Sequence, residues 1–189
     1  MNYEIDEKDF RETCISSEDK FEGRVLHVFR DEVSLPNGGS SVREYVRHRG
    51  AVAVVAIDKQ ENVYLVRQYR YAIGRMTVEI PAGKLEIGET DPEAAARREL
   101  SEEIGVTAGK MIPLGVYIGS PAILSERIYC YLAEDLCFGE THPDEDENLS
   151  TLRMPLTDAV ACIERGEWED GKTVFGILKA YLKRMHDHE

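Results

Sequence analysis

Residues 79–106 read EIPAGKLEIGETDPEAAARRELSEEIGV, a strand end, a glycine loop and a short acidic helix in that order. Pro92 suits the first helical position, and a residue before proline avoids helical backbone angles, so Asp91 is the expected N-cap. The helix then runs to about Ile104, with Gly105 as its left-handed stop. At 3.6 residues per turn, Ala96, Leu100 and Ile104 face a core while Glu99, Glu102 and Glu103 share one flank. That flank is costly, because like charges three and four apart repel and acids in the last turns oppose the helix dipole. A solvated face is the usual explanation of such a charge run. A hard divalent cation, held by carboxylates, a backbone carbonyl and waters, offsets the repulsion and explains more. It uses the glycines of PAGKLEIGE, which let a ligand approach the backbone, and Arg97 and Arg98 supply an internal counter-charge.

Upstream, GAVAVVAID (residues 50–58) is a continuous apolar run suited to a central strand. NVYLVRQYR follows after a polar turn at Lys59–Glu61, and MTVEIPAG is a short strand ended by Pro81 and Gly83. Residues 21–48 read as two or three strands with a PNGG turn. Downstream, MIPLGVYIGSPAI and ERIYCYLAEDL supply two strands, residues 139–148 an exposed polar loop, and LSTLRMPL a last strand. Two helices close the chain, Asp158–Arg165 with Thr157 as candidate N-cap and Gly166 as stop, and Lys172–His186. The expected class is α+β.

At 189 residues and 42% hydrophobic composition, one globular domain with a substantial core is expected. The net charge of −13 opposes nucleic-acid binding, which needs a basic surface. A small anionic ligand remains compatible, provided local arginines or a metal reverse the field at its site. Cys14, Cys130, Cys137 and Cys162 form no C-x-x-C pair, so free thiols in a reducing cytoplasm are expected. The acidic first residues carry no apolar signal region and no run of 18 uncharged apolar residues occurs, so neither secretion nor membrane spanning is expected.

Gly83, Glu89 after five intervening residues, and RELSEEIGV from Arg98 to Val106 resemble the box of the Nudix hydrolases, which cleave nucleoside diphosphates linked to another moiety. The family pattern places seven residues between that Glu and the Arg-Glu pair; here eight, Thr90 to Arg97, intervene. An extra residue inside the helix would rotate the carboxylates by about 100°. The N-cap at Asp91 puts it at Thr90 instead, before the helix, which preserves the register of the three glutamates. No ligand role is assigned to Glu89.

The motifs LPNGGSSVREYVRHRGAVAVVAI, LVRQYRY, VEIPAGK and SPAILSERIYCYLAE extend the resemblance over roughly residues 20–185, toward the ADP-ribose pyrophosphatase branch. Pro121 stands sixteen residues after Gly105, a spacing that accompanies ADP-sugar preference in this family. The resemblance implies an α/β/α sandwich with a mixed β-sheet and an N-terminal antiparallel strand region. Residues 1–48 would dimerise and residues 49–189 form the hydrolase domain. It implies Mg²⁺, with Mn²⁺ as the alternative, held by the Ala82 carbonyl, Glu99 and Glu103. Glu102 is either a ligand or an acceptor supporting the ligands, and Arg98 orients the group.

Glu145 is implied as the base that deprotonates the attacking water, and Glu147 as a further metal contact, the two roles being exchangeable. Arg43, Arg70, Lys84, Ser120 and Glu126 form the implied substrate-binding set. Arg67 and Arg70 lie three apart, so a regular strand turns them to opposite faces, and Arg70 at the strand end is preferred for the phosphates. Arg49 stands where the family often has proline. The implied reaction is hydrolysis of ADP-ribose to AMP and ribose 5-phosphate by a cytoplasmic homodimer. GDP-mannose hydrolysis or a non-catalytic ADP-ribose-type sensor are the alternatives.

Overall fold

The computed structural model of the chain describes residues 7–141 and 148–187. The chain divides into two compact units, the first containing the residues up to His48 together with Ser120–Glu126, the second containing the remainder.

In the first unit, β1 (Thr13–Glu22), β2 (His27–Ser34) and β3 (Ser40–Arg47) form an antiparallel sheet in that order. All ten residues of β1 are exposed. TCISSEDKFE has no apolar alternation, so the strand begins well before the stretch that hydrophobic patterning marks; backbone pairing with β2 defines it. The segment Ser120–Glu126 is stitched to the end of β3. The Val46 N–H donates to the Ile123 carbonyl at 2.8 Å, the Ser125 N–H to the Val46 carbonyl at 3.0 Å, and the His48 N–H to Ser125 Oγ at 2.9 Å.

The second unit is built on a mixed sheet of β4 (Ala51–Ile57), β5 (Asn62–Arg70), β6 (Arg75–Glu79), β7 (Ala82–Lys84), β8 (Val106–Tyr117), β9 (Ile128–Phe138) and β10 (Ser150–Pro155). Its main path is β10-β5-β4-β9-β8, with β6 on β5 and β7 on β4; β4 and β9 run parallel and the other pairs antiparallel. Every residue of β4 is buried, because helices cover both faces. Val52, Val54 and Ala56 pack with Ala95, Ala96, Leu100 and Ile104 of α1 (Pro92–Ile104). Ala53, Val55 and Ile57 pack with Leu156, Ala159 and Val160 of α2 (Leu156–Glu164) and Ile177 and Ala180 of α3 (Gly171–Asp187). Each fully buried aliphatic side chain of this kind contributes roughly 1.5–3 kcal/mol. The fold is the expected α+β class, with this unit an α/β/α sandwich.

Two boundaries differ from expectation. The N-cap of α2 is Pro155, with φ −55° and ψ 140° and no side-chain bond, so Thr157 lies inside the helix. Proline has no side-chain acceptor, but its fixed φ leads the chain directly into the turn. At α3, Asp170 caps the helix, its carboxylate accepting the Thr173 N–H at 3.1 Å. Among the described residues no helix is long and apolar enough to cross a membrane, and the four cysteines are free.

Candidate active site

Helix α1 has the register the sequence dictates. Asp91 Oδ1 accepts the N–H groups of Glu93 at 3.0 Å and Ala94 at 3.3 Å, and Gly105 takes φ +64° and returns its N–H to Ser101 at 3.0 Å. Thr90 therefore lies before the helix. The buried stripe of α1 contains Glu99 and Glu103 beside its apolar residues, exposed by only 9% and 5%.

These acids border the β7 backbone. The Ala82 N–H donates to Glu103 Oε2 at 3.1 Å. A Cβ built on Gly83 would lie 1.9 Å from the Glu99 carboxyl carbon, so any side chain at this position would occupy the place of that carboxylate. Arg98 gathers the group: Nη1 donates to Glu99 Oε1 and Glu102 Oε2, both at 2.8 Å, and Nη2 to Glu89 Oε2 at 3.3 Å and to the Lys84 carbonyl at 3.5 Å. Burial works against the Arg98 charge, but Glu99, Glu89 and Glu102 outweigh it and hold the guanidinium firmly protonated. Glu89 thus reaches Arg98 despite the longer spacer. Arg97 is directed elsewhere, to Glu93 and the Ala108 carbonyl.

Around Arg98, then, three carboxylates, Glu89, Glu99 and Glu102, face one guanidinium, and Glu103 meets the Ala82 N–H. Glu99, Glu102 and Glu103 do not close into a compact triad. Among the described residues, the set of three His, Cys or acidic side chains whose ligand atoms all lie within 4.8 Å is Asp19, Glu22 and His27, in the first unit. The helix acids instead lean on Arg98 and on the Ala82 N–H.

Arg70, at the end of β5, is held by a residue that the sequence reading overlooked. Glu79, 1% exposed, receives Arg70 Nε at 2.7 Å and Arg70 Nη2 at 2.6 Å, together with Thr77 Oγ1 at 2.7 Å and Lys172 Nζ. Burial alone would raise the Glu79 pKa, but Arg70, Lys172 and Thr77 bring it down to about 2. Lys172 also donates to Asp170 at 2.9 Å. A glutamate in a strand followed by Ile-Pro was the available signal, since a charge in that apolar setting needs partners. Arg67 is exposed, and Lys84 is exposed on β7.

The first unit holds three further members of the expected set. Arg43, on β3, donates to Glu12 and to Ser41 Oγ at 3.0 Å. The Ser120 carbonyl accepts the N–H groups of Ile123 and Leu124 at 3.2 and 2.9 Å, and Glu126 Oε1 lies 3.4 Å from His48 Nδ1. Glu145 and Glu147 lie outside the described residues.

A mixed-sheet sandwich with buried glutamates beside a glycine strand defines a recognisable class. Residues 47–175 match the NUDIX domain, and the chain belongs to that family. It is 41% identical to the ADP-ribose pyrophosphatase of Bacillus subtilis (strain 168), across 93% of this chain and 96% of that protein. A methanol dehydrogenase activator of Bacillus methanolicus is likewise 41% identical, across 95% of this chain and 98% of that protein. Among solved structures, an ADP compounds hydrolase shares the fold, with a TM-score of 0.77 at 24% identity, covering 93% of this chain and 96% of that one.

Nudix hydrolases generally need a divalent metal. The residues here fit one. The group around Arg98 carries an excess of two negative charges, counted as three carboxylates less one guanidinium. Gly83 leaves room for a carboxylate against the backbone, and the donors are all oxygens, as hard cations require.

Proposed function

We propose that this protein hydrolyses the diphosphate bond of ADP-ribose, water adding at phosphorus to release AMP and ribose 5-phosphate. The observation that carries the reading is the pair of buried carboxylates, Glu99 and Glu103, set against the Ala82–Gly83 backbone inside the matched NUDIX region. Similarity to an ADP-ribose pyrophosphatase along nearly the whole chain supports the substrate.

Ala82, Glu99 and Glu103 would hold Mg²⁺, or Mn²⁺ in its place, with Glu102 as a further ligand or an acceptor supporting the others. When bound, the ion supplies charge neutralisation on the diphosphate oxygens and a more acidic water. Arg98 keeps Glu99 and Glu102 oriented through charge-assisted bonds. Arg70 presents a fixed guanidinium to a phosphate, and Lys84 a mobile ammonium. Arg43, Ser120 and Glu126 are assigned to the nucleoside and sugar. Glu145 as proton acceptor and Glu147 as additional ligand rest on the family resemblance alone.

The same reading makes residues 1–48 a dimerising region and residues 49–189 the hydrolase domain, in a cytoplasmic homodimer. A strand exposed along its full length, carrying Ile15 and Phe21 at 58% and 56% exposure, supports a partner for β1.

The test is a panel of nucleotide sugars incubated with the purified protein and Mg²⁺, with nucleotide products separated by chromatography. AMP from ADP-ribose, suppressed by a chelator, is the expected result. Much faster turnover of GDP-mannose would overturn the substrate, and tight ADP-ribose binding without turnover would convert the enzyme into a sensor.

A further inference from the structure

We propose that Lys172, at the start of α3, is a positioning residue: it holds Glu79 as a fixed anion, and Glu79 in turn clamps Arg70 in the orientation that meets the substrate diphosphate. The inference rests on the assignment of Arg70 to the diphosphate, and extends it to two residues that act through Arg70.

The geometry is that of a relay. Glu79 Oε1 accepts Arg70 Nε and Thr77 Oγ1, and Glu79 Oε2 accepts Arg70 Nη2 and Lys172 Nζ. Both bonds between Arg70 and Glu79 use one edge of the planar guanidinium, which fixes its plane and direction. Among the described residues neither bond uses Nη1, and the Arg70 side chain keeps 45% of its surface exposed. Glu79 and Lys172 are withdrawn from water, at 1% and 9% exposure. Four charges, Arg70 and Lys172 against Glu79 and Asp170, balance within this cluster. An anion meeting Arg70 would compete with Glu79 for the guanidinium. Lys172 supplies Glu79 with a second cation, so Glu79 stays charged and in place while Arg70 is shared.

The same helix start holds the backbone that follows Glu79. Thr173 Oγ1 donates to Asp170 Oδ2 at 2.5 Å and accepts the Ile80 N–H at 3.0 Å. Two residues later the Ala82 N–H meets Glu103. The tetrapeptide DGKT, Asp170–Thr173, therefore secures the end of β6 from Glu79 to Ile80, one side by a charge and the other by a hydroxyl. Gly171 belongs to the device: a Cβ there would lie 2.0 Å from Tyr117 Oη, so glycine lets the helix start come this close to the sheet.

A fixed guanidinium binds a diphosphate in the ground state and the transition state alike, so loosening it raises KM and leaves kcat nearly unchanged. A residue with a purely structural role would lower melting temperature and active fraction, without moving KM. The experiment compares steady-state hydrolysis of ADP-ribose with Mg²⁺ for wild type, Arg70→Ala, Lys172→Met, Lys172→Arg and the Arg70→Ala/Lys172→Met pair, with melting curves on each.

Expected are KM increases of about tenfold to a hundredfold for Arg70→Ala, the range for one charge-assisted contact, and a rise of the same order for Lys172→Met. Lys172→Arg recovers most of the loss, and the double variant is no worse than Arg70→Ala alone, because the two act through one contact. If Lys172→Met does not fold, Glu79→Gln/Lys172→Met removes one charge of each sign, keeps the cluster balanced and is expected to show the same rise. An unchanged KM in the Lys172 variants beside a raised one in Arg70→Ala overturns the positioning role, as do additive effects in the double variant. An unchanged KM in Arg70→Ala overturns the diphosphate assignment of Arg70, and the positioning role with it, while leaving the metal site standing.

Discussion

Glu79 and Glu103 are both carboxylates withdrawn from water, and each ties down one end of the segment Glu79–Ala82, yet their surroundings have opposite character. Glu79 sits among two cations and a hydroxyl and belongs to a group that sums to zero charge. Glu103 shares its helix with Glu99 and Glu102, and those two share the single guanidinium of Arg98. A compensated buried anion is an element of architecture, whereas an excess of one sign in a buried setting is tolerable when a ligand of the other sign arrives. The contrast separates a group already balanced, which orients Arg70, from one with room for a further cation.

The widest consequence of that contrast is in catalysis. Glu103→Gln removes a negative charge from the group in excess, and AMP release with Mg²⁺ should fall roughly a thousandfold, the several kcal/mol a catalytic metal supplies. The fold should survive, since like-charge repulsion is relieved. Mg²⁺ at a hundred times its dissociation constant should stabilise the wild type by about 2.7 kcal/mol. For a chain of this size that is a rise in melting temperature of roughly 5–10 °C, and it should be missing in Glu103→Gln. A magnesium-dependent shift of equal size in the variant would break the distinction.

Glu79→Gln reverses the pattern, with stability as the main loss. Two cations lose their shared anion in a dry setting, a change that costs about 3–5 kcal/mol by urea denaturation. The pH dependence carries the same signature. The folded-state pKa of about 2 lies below the ordinary 4.5, so the contribution of Glu79 is complete above about pH 4.5 and is lost as pH falls through that window toward 2. The wild type should therefore lose about 3 kcal/mol more than Glu79→Gln between pH 4.5 and 2. Parallel pH profiles would show that the anion is not held by its partners.

How much of this was legible in the sequence follows from how local each signal is. α1 could be placed to the residue because Asp91, Pro92 and Gly105 act on their immediate neighbours. β4 could be placed because burial on both faces leaves seven consecutive apolar residues. β1 left no such mark: its side chains are exposed, and pairing with β2 depends on backbone groups that every residue carries. Glu79 and Lys172 are 93 residues apart, and neither alone announces the other. The link between Ser120–Glu126 and β3 is equally non-local, since the backbone of Val46 makes two of its bonds.

Gly83→Ala tests the site by shape alone, with no charge altered. The added Cβ would collide with the Glu99 carboxylate at 1.9 Å, and either that side chain or the β7 backbone must shift. Disturbing the orientation of a ligand in this way costs about 10–100-fold in metal affinity or activity, less than removing the ligand. Titration of Mg²⁺ against rate would place the loss in affinity, while a variant as active as wild type would show that Glu99 has no need of that place.

The smallest effect is expected from deleting Thr90, which restores the family's seven-residue spacer. Helix register is set by the Asp91 cap and Pro92, both downstream of the deletion, so Glu99, Glu102 and Glu103 keep their positions relative to Ala82. Thr90 is exposed, and the adjoining turn is closed by Glu89, whose carboxylate accepts the Glu86 N–H at 2.9 Å and reaches Arg98 at 3.3 Å. The penalty should remain near that of an ordinary surface change, within about 0.5 kcal/mol, or roughly twofold in rate. A loss rivalling Glu103→Gln would mean that the extra residue is part of the helix register after all, and that the glutamates reach the glycine strand by a route other than the N-cap at Asp91.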